Sequence, residues 1–274
     1  MVLKILTLNT HAWMETEQLQ KIEHLADFIR EQQFDVIALQ EVNQSKEEEA
    51  LSACDLERFF RTEPDTVVRQ DNYTFVLLQK LGIPYYWTWI PVHTGFEKYD
   101  EGLAILTRTP VTDAFSEYVS VIRDYENYRT RKIVGVKAEV RGEETWFVSG
   151  HFGWWNDEVE PFRGQWDAAQ EKLDTLKESP VFILGDFNNV AQIRNEGYDY
   201  VAQKGWNDLY ASASFKDDGA TVTKAIKGWD ENKGKLRIDY IFSNRPLQAK
   251  SCHVVMNGIR GAVVSDHFGV AAEL

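Results

Sequence analysis

The chain is poor in cysteine: only Cys54 and Cys252 occur among 274 residues. They lie far apart and make neither a metal-ligand nor a redox spacing, so neither a thiolate metal cluster nor dithiol chemistry organises the protein. Long hydrophobic runs are also missing, with no stretch approaching the ~20 apolar residues of a membrane span. Met1 leads directly into the apolar segment Val2 to Leu8 without a basic region and cleavage site, so nothing marks the chain for export. These absences predict a soluble, cytoplasmic protein with no membrane partner. Positive charge is in short supply too: 30 Lys and Arg face 43 Asp and Glu, a net charge of −13. Proteins that live by neutralising phosphate backbones usually show a basic stripe, and this surface repels a polyanion at long range. The one local basic concentration is Arg123, Arg129, Arg131 and Lys132. Such a cluster is most often a solvated face, and its functional alternative is phosphate binding, with Arg131 as the candidate.

What the sequence does contain is core material, 43% hydrophobic and 13% aromatic residues. Sandwiches and barrels of ~200–250 residues commonly stay single, and no repeat, low-complexity tract or Pro/Ser-rich linker interrupts the chain, so one domain over 1–274 is expected. Leu19, Ile22, Leu25, Ala26 and Ile29 recur at helical spacing between two buried strands, Leu3 to Leu8 and Val36 to Leu39. Asn72 to Leu81 reads as a second helix, and Trp166, Ala169, Leu173 and Leu176 mark a third within Glu158 to Lys177. Strand-like runs occupy Tyr85 to Pro91, Gly102 to Thr107, Thr112 to Val121, Lys132 to Val140, Thr145 to Ser149, Val181 to Leu184, Leu236 to Phe242, Lys250 to Val255 and Phe268 to Ala272. About a dozen strands with a few helices predict an α/β fold, a four-layer αββα sandwich of two packed mixed β-sheets flanked by helices.

Five of the apolar runs end in polar groups: Asn9-Thr10-His11, Gln40-Glu41-Val42-Asn43, Ser149-Gly150-His151, Gly185-Asp186-Phe187-Asn188 and Ser265-Asp266-His267. Strands that terminate in carboxylates, amides and imidazoles suit a hydrolytic site with a hard divalent cation, which prefers carboxylate and amide oxygens. The bland readings differ in weight. A lone Asn9 after a strand is usually a turn former, whereas Glu41 and Asp186 directly after apolar runs are expensive to bury unpaired. Asp239, inside Ile238-Asp239-Tyr240-Ile241, needs a partner, for which His267 is the candidate. His24 reads as a helix-face residue and His253 as a strand residue, while nothing in the sequence places His11 or His93.

Taken together, Leu-Asn9-Thr, Gln-Glu41-Val-Asn, Glu101-Gly-Leu-Ala-Ile-Leu, Gly-His151, Gly-Asp186-Phe-Asn188, Arg-Ile-Asp239-Tyr-Ile-Phe and Ser-Asp266-His267 resemble the ordered motif set of the endonuclease/exonuclease/phosphatase superfamily, the fold of deoxyribonuclease I. The resemblance implies a metal-dependent phosphoric ester hydrolase using Mg²⁺ or Mn²⁺, with Glu41 as the main ligand and Asn9 and Asp266 helping directly or through water. It further implies that Asp239 fixes the tautomer of His267, that Asp186 and Asn188 point the same way from one strand end to orient the attacking water, and that Glu101 orients His151 toward a phosphate oxygen.

Fold alone does not choose among nucleic acids, phosphoinositides, sphingomyelin and sugar phosphates. The loops carry aromatics: Trp154 and Trp155 after His151, Trp87 and Trp89 before the Glu101 strand, and Trp229 before the Asp239 strand. Trp rings offer flat platforms for sugar faces, although most of the nine tryptophans, Trp146 and Trp166 among them, are expected in the core. His-Phe-Gly-Trp-Trp, Lys-Gly-Trp229-Asp with Leu-Arg237-Ile-Asp239-Tyr, and Leu-Asn-Thr-His-Ala-Trp13-Met are similar to bacterial maltose 6'-phosphate phosphatases within the superfamily. That resemblance implies a small-molecule sugar-phosphate partner, with Trp154, Trp155, Trp229 and Arg131 binding substrate. A nuclease would show a basic groove, and a sphingomyelinase-type phosphodiesterase an apolar membrane-facing loop.

Overall fold

A computed structural model describes residues 2–274. In chain order the elements are β1 (Lys4–Asn9), α1 (Gln18–Gln32), β2 (Val36–Ser45), α2 (Tyr73–Leu81), β3 (Tyr86–Gly95), β4 (Tyr99–Thr107), β5 (Val111–Tyr118), β6 (Lys132–Val140), β7 (Glu143–His151), α3 (Phe162–Asp174), β8 (Val181–Asp186), α4 (Gly197–Gln203), β9 (Asn207–Asp208), α5 (Leu209–Ser212), β10 (Phe215–Lys216), β11 (Asp239–Ser243), β12 (Ser251–Val255) and β13 (Gly269–Glu273). They form a seven-stranded sheet, β10-β12-β13-β1-β2-β4-β3, and a six-stranded sheet, β5-β6-β7-β8-β11-β9. Both are mixed, with parallel pairs β1/β2 and β7/β8 beside antiparallel neighbours.

The four layers follow from the two-residue strand period. On β1 and β2, Ile5, Val36 and Ala38 point inward to meet Val134, Phe147, Phe182 and Leu184 of the other sheet. Their neighbours Leu6, Leu8, Ile37 and Leu39 point outward, where Ile22, Leu25 and Ile29 of α1 and Leu77 and Leu81 of α2 cover them. On the second sheet, Val148, Val181 and Ile183 face outward to Phe162, Trp166 and Leu173 of α3. The helix over Asn72 to Leu81 starts one residue later than the periodicity suggests, because Asn72 is its cap and accepts from the backbone N–H groups of Thr74 and Phe75.

The polar motifs meet at one end of the two packed sheets, where Asn9 of the first bonds Asp186 of the second. His151 at the end of β7 lies beside Asp186 at the end of β8, and Asp186 lies opposite Asp239 at the start of β11. Gly185 makes that apposition possible: it has φ 146°, and a Cβ there would sit 1.9 Å from the Gly150 carbonyl oxygen. Gly185→Ala is therefore expected to lower stability by about 3 kcal/mol or more, read as a shift of the denaturant midpoint; an unchanged midpoint would disprove the close packing.

Candidate active site

His151, Asp186 and Asp239 reach the site in regular strand register, whereas Glu41 and His93 are delivered by register shifts. On β2 the pairing with β4 slips between Leu39 and Val42, and Glu41, on that bulge, takes φ 49°. A bulge re-aims a side chain that regular alternation would send elsewhere. Asn9, at the end of β1, joins the two sheets: its Nδ2 donates to Glu41 Oε1 at 2.9 Å and to Asp186 Oδ2 at 3.2 Å. Its Oδ1 accepts from the His11 backbone N–H at 3.1 Å. In this arrangement Asn9 organises two carboxylates, and one lone pair of its oxygen is taken by the His11 N–H.

His267 donates from Nδ1 to Asp239 Oδ2 at 3.0 Å, both side chains being buried. Its Nε2 lies 3.7 Å from Asp186 Oδ2. Burial disfavours the imidazolium, but Asp239 and Asp186 outweigh it and push His267 up to about 10. Asp186 moves the other way from an ordinary carboxylate: burial, with Asp239 adding repulsion, raises it to about 7 against the opposing pull of His267. A carboxylate poised near neutrality next to an imidazolium is what general base catalysis on water requires.

Three further carboxylates face one another across the cleft. Burial, then Glu101 and Asp266, push Glu41 up to about 7. Glu101 resists its own burial because His93 and Arg131 lie beside it, and its pKa falls below the usual carboxylate range. His93 Nε2 is 3.3 Å from Glu101 Oε1, and its Nδ1 faces the Thr94 carbonyl at 3.1 Å. The partner of Glu101 is thus His93, across the β3/β4 pair, and not His151 as the sequence suggested. His151 instead accepts from Asn188 Nδ2 at 3.2 Å. Burial, with Arg131, His93 and His267 close by, holds it well below 6.5, so it is neutral.

All nine catalytic and metal-ligand candidates gather at these strand ends, but Asn188 is not on a strand: β8 stops at Asp186, and Asn188 sits two residues on with φ 49°. The cleft is lined by Glu41, Glu101, Arg131, His151, Asp186, Asn188, Asp266 and His267, with Phe96, Tyr128, Trp154 and Lys227 at its mouth. Of the three tryptophans proposed from sequence, only Trp154 lines it. Trp155 packs instead on Tyr200 at 5.8 Å, with Arg163 5.2 Å above its ring. Trp229 lies behind the lining and donates from Nε1 to Asn188 Oδ1 at 3.0 Å. Trp87 and Trp89 are core residues, as their alternation in β3 requires.

The basic cluster comes apart. Arg129 pairs with Asp157 at 3.0 Å, Lys132 with Glu63 at 2.8 Å, and Arg123 lies over Tyr118. Arg131 alone turns into the cleft, where it is 5% exposed. Its Nε is buried without a hydrogen-bond partner among the described residues. His11 and His93 also reach the cleft. No motif announced His93; its one signal is a titratable residue at a buried position of a strand whose other buried side chains, Trp87, Thr88, Trp89, Ile90, Val92 and Thr94, carry no charge.

A structure from Leptotrichia buccalis C-1013-b, described as an endonuclease/exonuclease/phosphatase family protein, is 36% identical over 98% of each chain, with a TM-score of 0.86. A mannosyl-6-phosphatase from Bacteroides thetaiotaomicron VPI-5482 matches at 17% identity over 98% of each chain, with a TM-score of 0.69. Truncated TDP2 from Caenorhabditis elegans matches at 16% identity over 99% of this chain and 96% of that one, with a TM-score of 0.62. The last two share the fold. No curated protein matches the sequence. The endonuclease/exonuclease/phosphatase family model spans residues 15–267, from just before α1 to the His267 that closes the buried dyad, and the chain belongs to that family of phosphoester hydrolases.

Proposed function

We propose that the protein is a divalent-cation-dependent phosphomonoesterase that hydrolyses a phosphorylated disaccharide such as maltose 6'-phosphate. The observation that carries this reading is Arg131. A buried guanidinium with an unsatisfied Nε is costly, and a phosphoryl group is the ligand that a rigid planar donor fork fits. The cavity beside it measures about 110 Å³, less than the ~150 Å³ that takes a benzene ring. It suits a phosphoryl group, and Phe96, Tyr128 and Trp154, which line the same cavity, would meet the sugar where it leaves toward solvent. Aromatic walls suit sugar faces, and a net charge of −13 disfavours a long polyanion.

The donor set fits a hard cation. Glu101 is compensated by His93 and Arg131, whereas Glu41 and Asp266, with His11 3.7 Å from Asp266 and the Asn9 amide on Glu41 beside them, face each other as oxygen donors, the small carboxylate set that Mg²⁺ takes while keeping several waters. When bound there, the cation offsets negative charge on the phosphoryl oxygens. Asp186 accepts a proton from water. His267, held by Asp239, offers its Nε2 proton toward the same place, and Asn9 keeps Glu41 and Asp186 in register.

The test is phosphate release across sugar phosphates, nucleotides and oligonucleotides with Mg²⁺. A phosphorylated disaccharide is expected to win, and Arg131→Met to raise KM at least tenfold, the loss of about 1.5 kcal/mol of charge-assisted hydrogen bonding. Efficient cutting of DNA with no phosphate released from any sugar phosphate would replace this reading by a nuclease.

A further inference from the structure

We propose that Trp229 is a positioning residue that sets the tautomer of His151 through the side-chain amide of Asn188. Trp229 closes a tight turn: its N–H donates to the Ile226 carbonyl at 2.9 Å, and Gly228 supplies the φ of 85° that the turn needs. Ile226 anchors the turn in a small apolar cluster with Val190, Val222 and Ile238, and the Trp229 ring packs on the same cluster. The ring is therefore held from behind, with its N–H aimed at Asn188.

The chain of donors leaves one assignment. An indole N–H only donates, so the atom that faces Trp229 Nε1 at 3.0 Å is the amide oxygen of Asn188. A carbonyl only accepts, so the atom 3.0 Å from the Phe152 oxygen is the amide nitrogen. The orientation of Asn188 is fixed from both ends. Its second N–H then faces His151 Nε2 at 3.2 Å, nearer than the Asp186 carboxylate oxygen at 3.6 Å, so that nitrogen accepts from the amide. Neutral His151 carries its proton on Nδ1 as a result. Without the indole N–H, the amide loses the group that holds its oxygen outward, and His151 loses the donor that selects its tautomer. The turn that bears Trp229 also carries Lys227, at the mouth of the cleft, so the segment that meets the substrate is the one that sets the imidazole. The inference rests on the phosphoesterase reading only in that His151 serves the reaction.

Trp229→Phe keeps the packed ring and removes the N–H. The imidazole nitrogens are read by multiple-bond ¹⁵N–¹H NMR, with His151→Gln to assign the His151 signals. The native protein is expected to show His151 protonated on Nδ1, and Trp229→Phe a mixture of tautomers. On a sugar phosphate and an aryl phosphate alike, kcat in Trp229→Phe falls roughly tenfold with KM nearly unchanged. His151 signals that stay the same in Trp229→Phe would overturn the relay, and so would a raised KM confined to the sugar phosphate, the mark of a stacking platform. Shifted signals in an active enzyme whose kcat does not change would overturn the positioning role. Shifted signals in a protein that hydrolyses no phosphate ester would leave the relay standing and remove the phosphoesterase reading.

Discussion

Changing His267 to Ala, Asp239 to Ala, or both at once is expected to lower kcat by nearly the same factor, on the order of 10³. The reason is that the carboxylate acts through the imidazole: Asp239 accepts from His267 Nδ1 at 3.0 Å and has no separate approach to the reacting atoms. Residues that work as one unit show losses that do not multiply. The pH profile provides the second check. His267 is held up to about 10, against its burial, by Asp239 and Asp186. Activity therefore declines on the alkaline side as that proton is lost. His267→Ala removes this limb, and Asp239→Asn moves it to lower pH. Strictly multiplicative losses in the double variant, or an alkaline limb that survives His267→Ala, would show that the pair is not the acidic partner.

Glu41→Gln is expected to abolish activation by a divalent cation while making the cation-free protein more stable at pH 8. The sign follows from linkage. An unfolded Glu gives up its proton near 4.5, whereas burial, with Glu101 and Asp266 near, keeps the folded Glu41 protonated up to about 7. Between those values the folded state binds more protons than the unfolded one, so stability falls as pH rises through that window. Asp186, raised from 3.8 to about 7, acts in the same direction. A cation bound by Glu41 offsets the penalty above pH 7 and does little at pH 5. The measurement is Tm with chelator and with Mg²⁺ at pH 5 and pH 8, in both proteins. Equal stabilisation by Mg²⁺ in the native protein and in Glu41→Gln would remove Glu41 as the ion's anchor.

The layers and the gathering of the site were legible because both rest on short-range periodicity. Alternation along Ile5 to Leu8 and Val181 to Leu184 is a property of the pleat, so the sequence shows which strands are covered on both faces. Polar residues directly after the runs of the parallel pairs β1/β2 and β7/β8 leave the core together, and Asn9, Glu41, His151 and Asp186 share one cleft or its wall; His267 joins them from the loop before β13 and follows no strand, contrary to the sequence expectation. The Asp239–His267 pair was legible for an energetic reason, since a carboxylate in an apolar strand needs a partner.

Partner identity inside the site was not legible in the same way. Glu101 meets His93 because the β3/β4 register slips between Pro91 and His93, a bulge that brings residue 93 opposite residue 101. Trp155 leaves the cleft because Tyr200 and Phe162 offer its ring more apolar contact behind the loop, and Trp229 reaches Asn188 only because its turn is anchored by Ile226. Arg131 is distinguished from Arg129 and Lys132 because the carboxylates near it, Glu101, Asp186 and Glu41, stand beyond ion-pair contact and leave its Nε without a hydrogen bond. By itself, then, the sequence determined the αββα layers and the set of groups at the strand ends, because strand period and the cost of burying charge act within a few residues. Which groups touch was decided only by the tertiary structure, because bulges, loop anchors and long-range ion pairs depend on residues far apart in the chain.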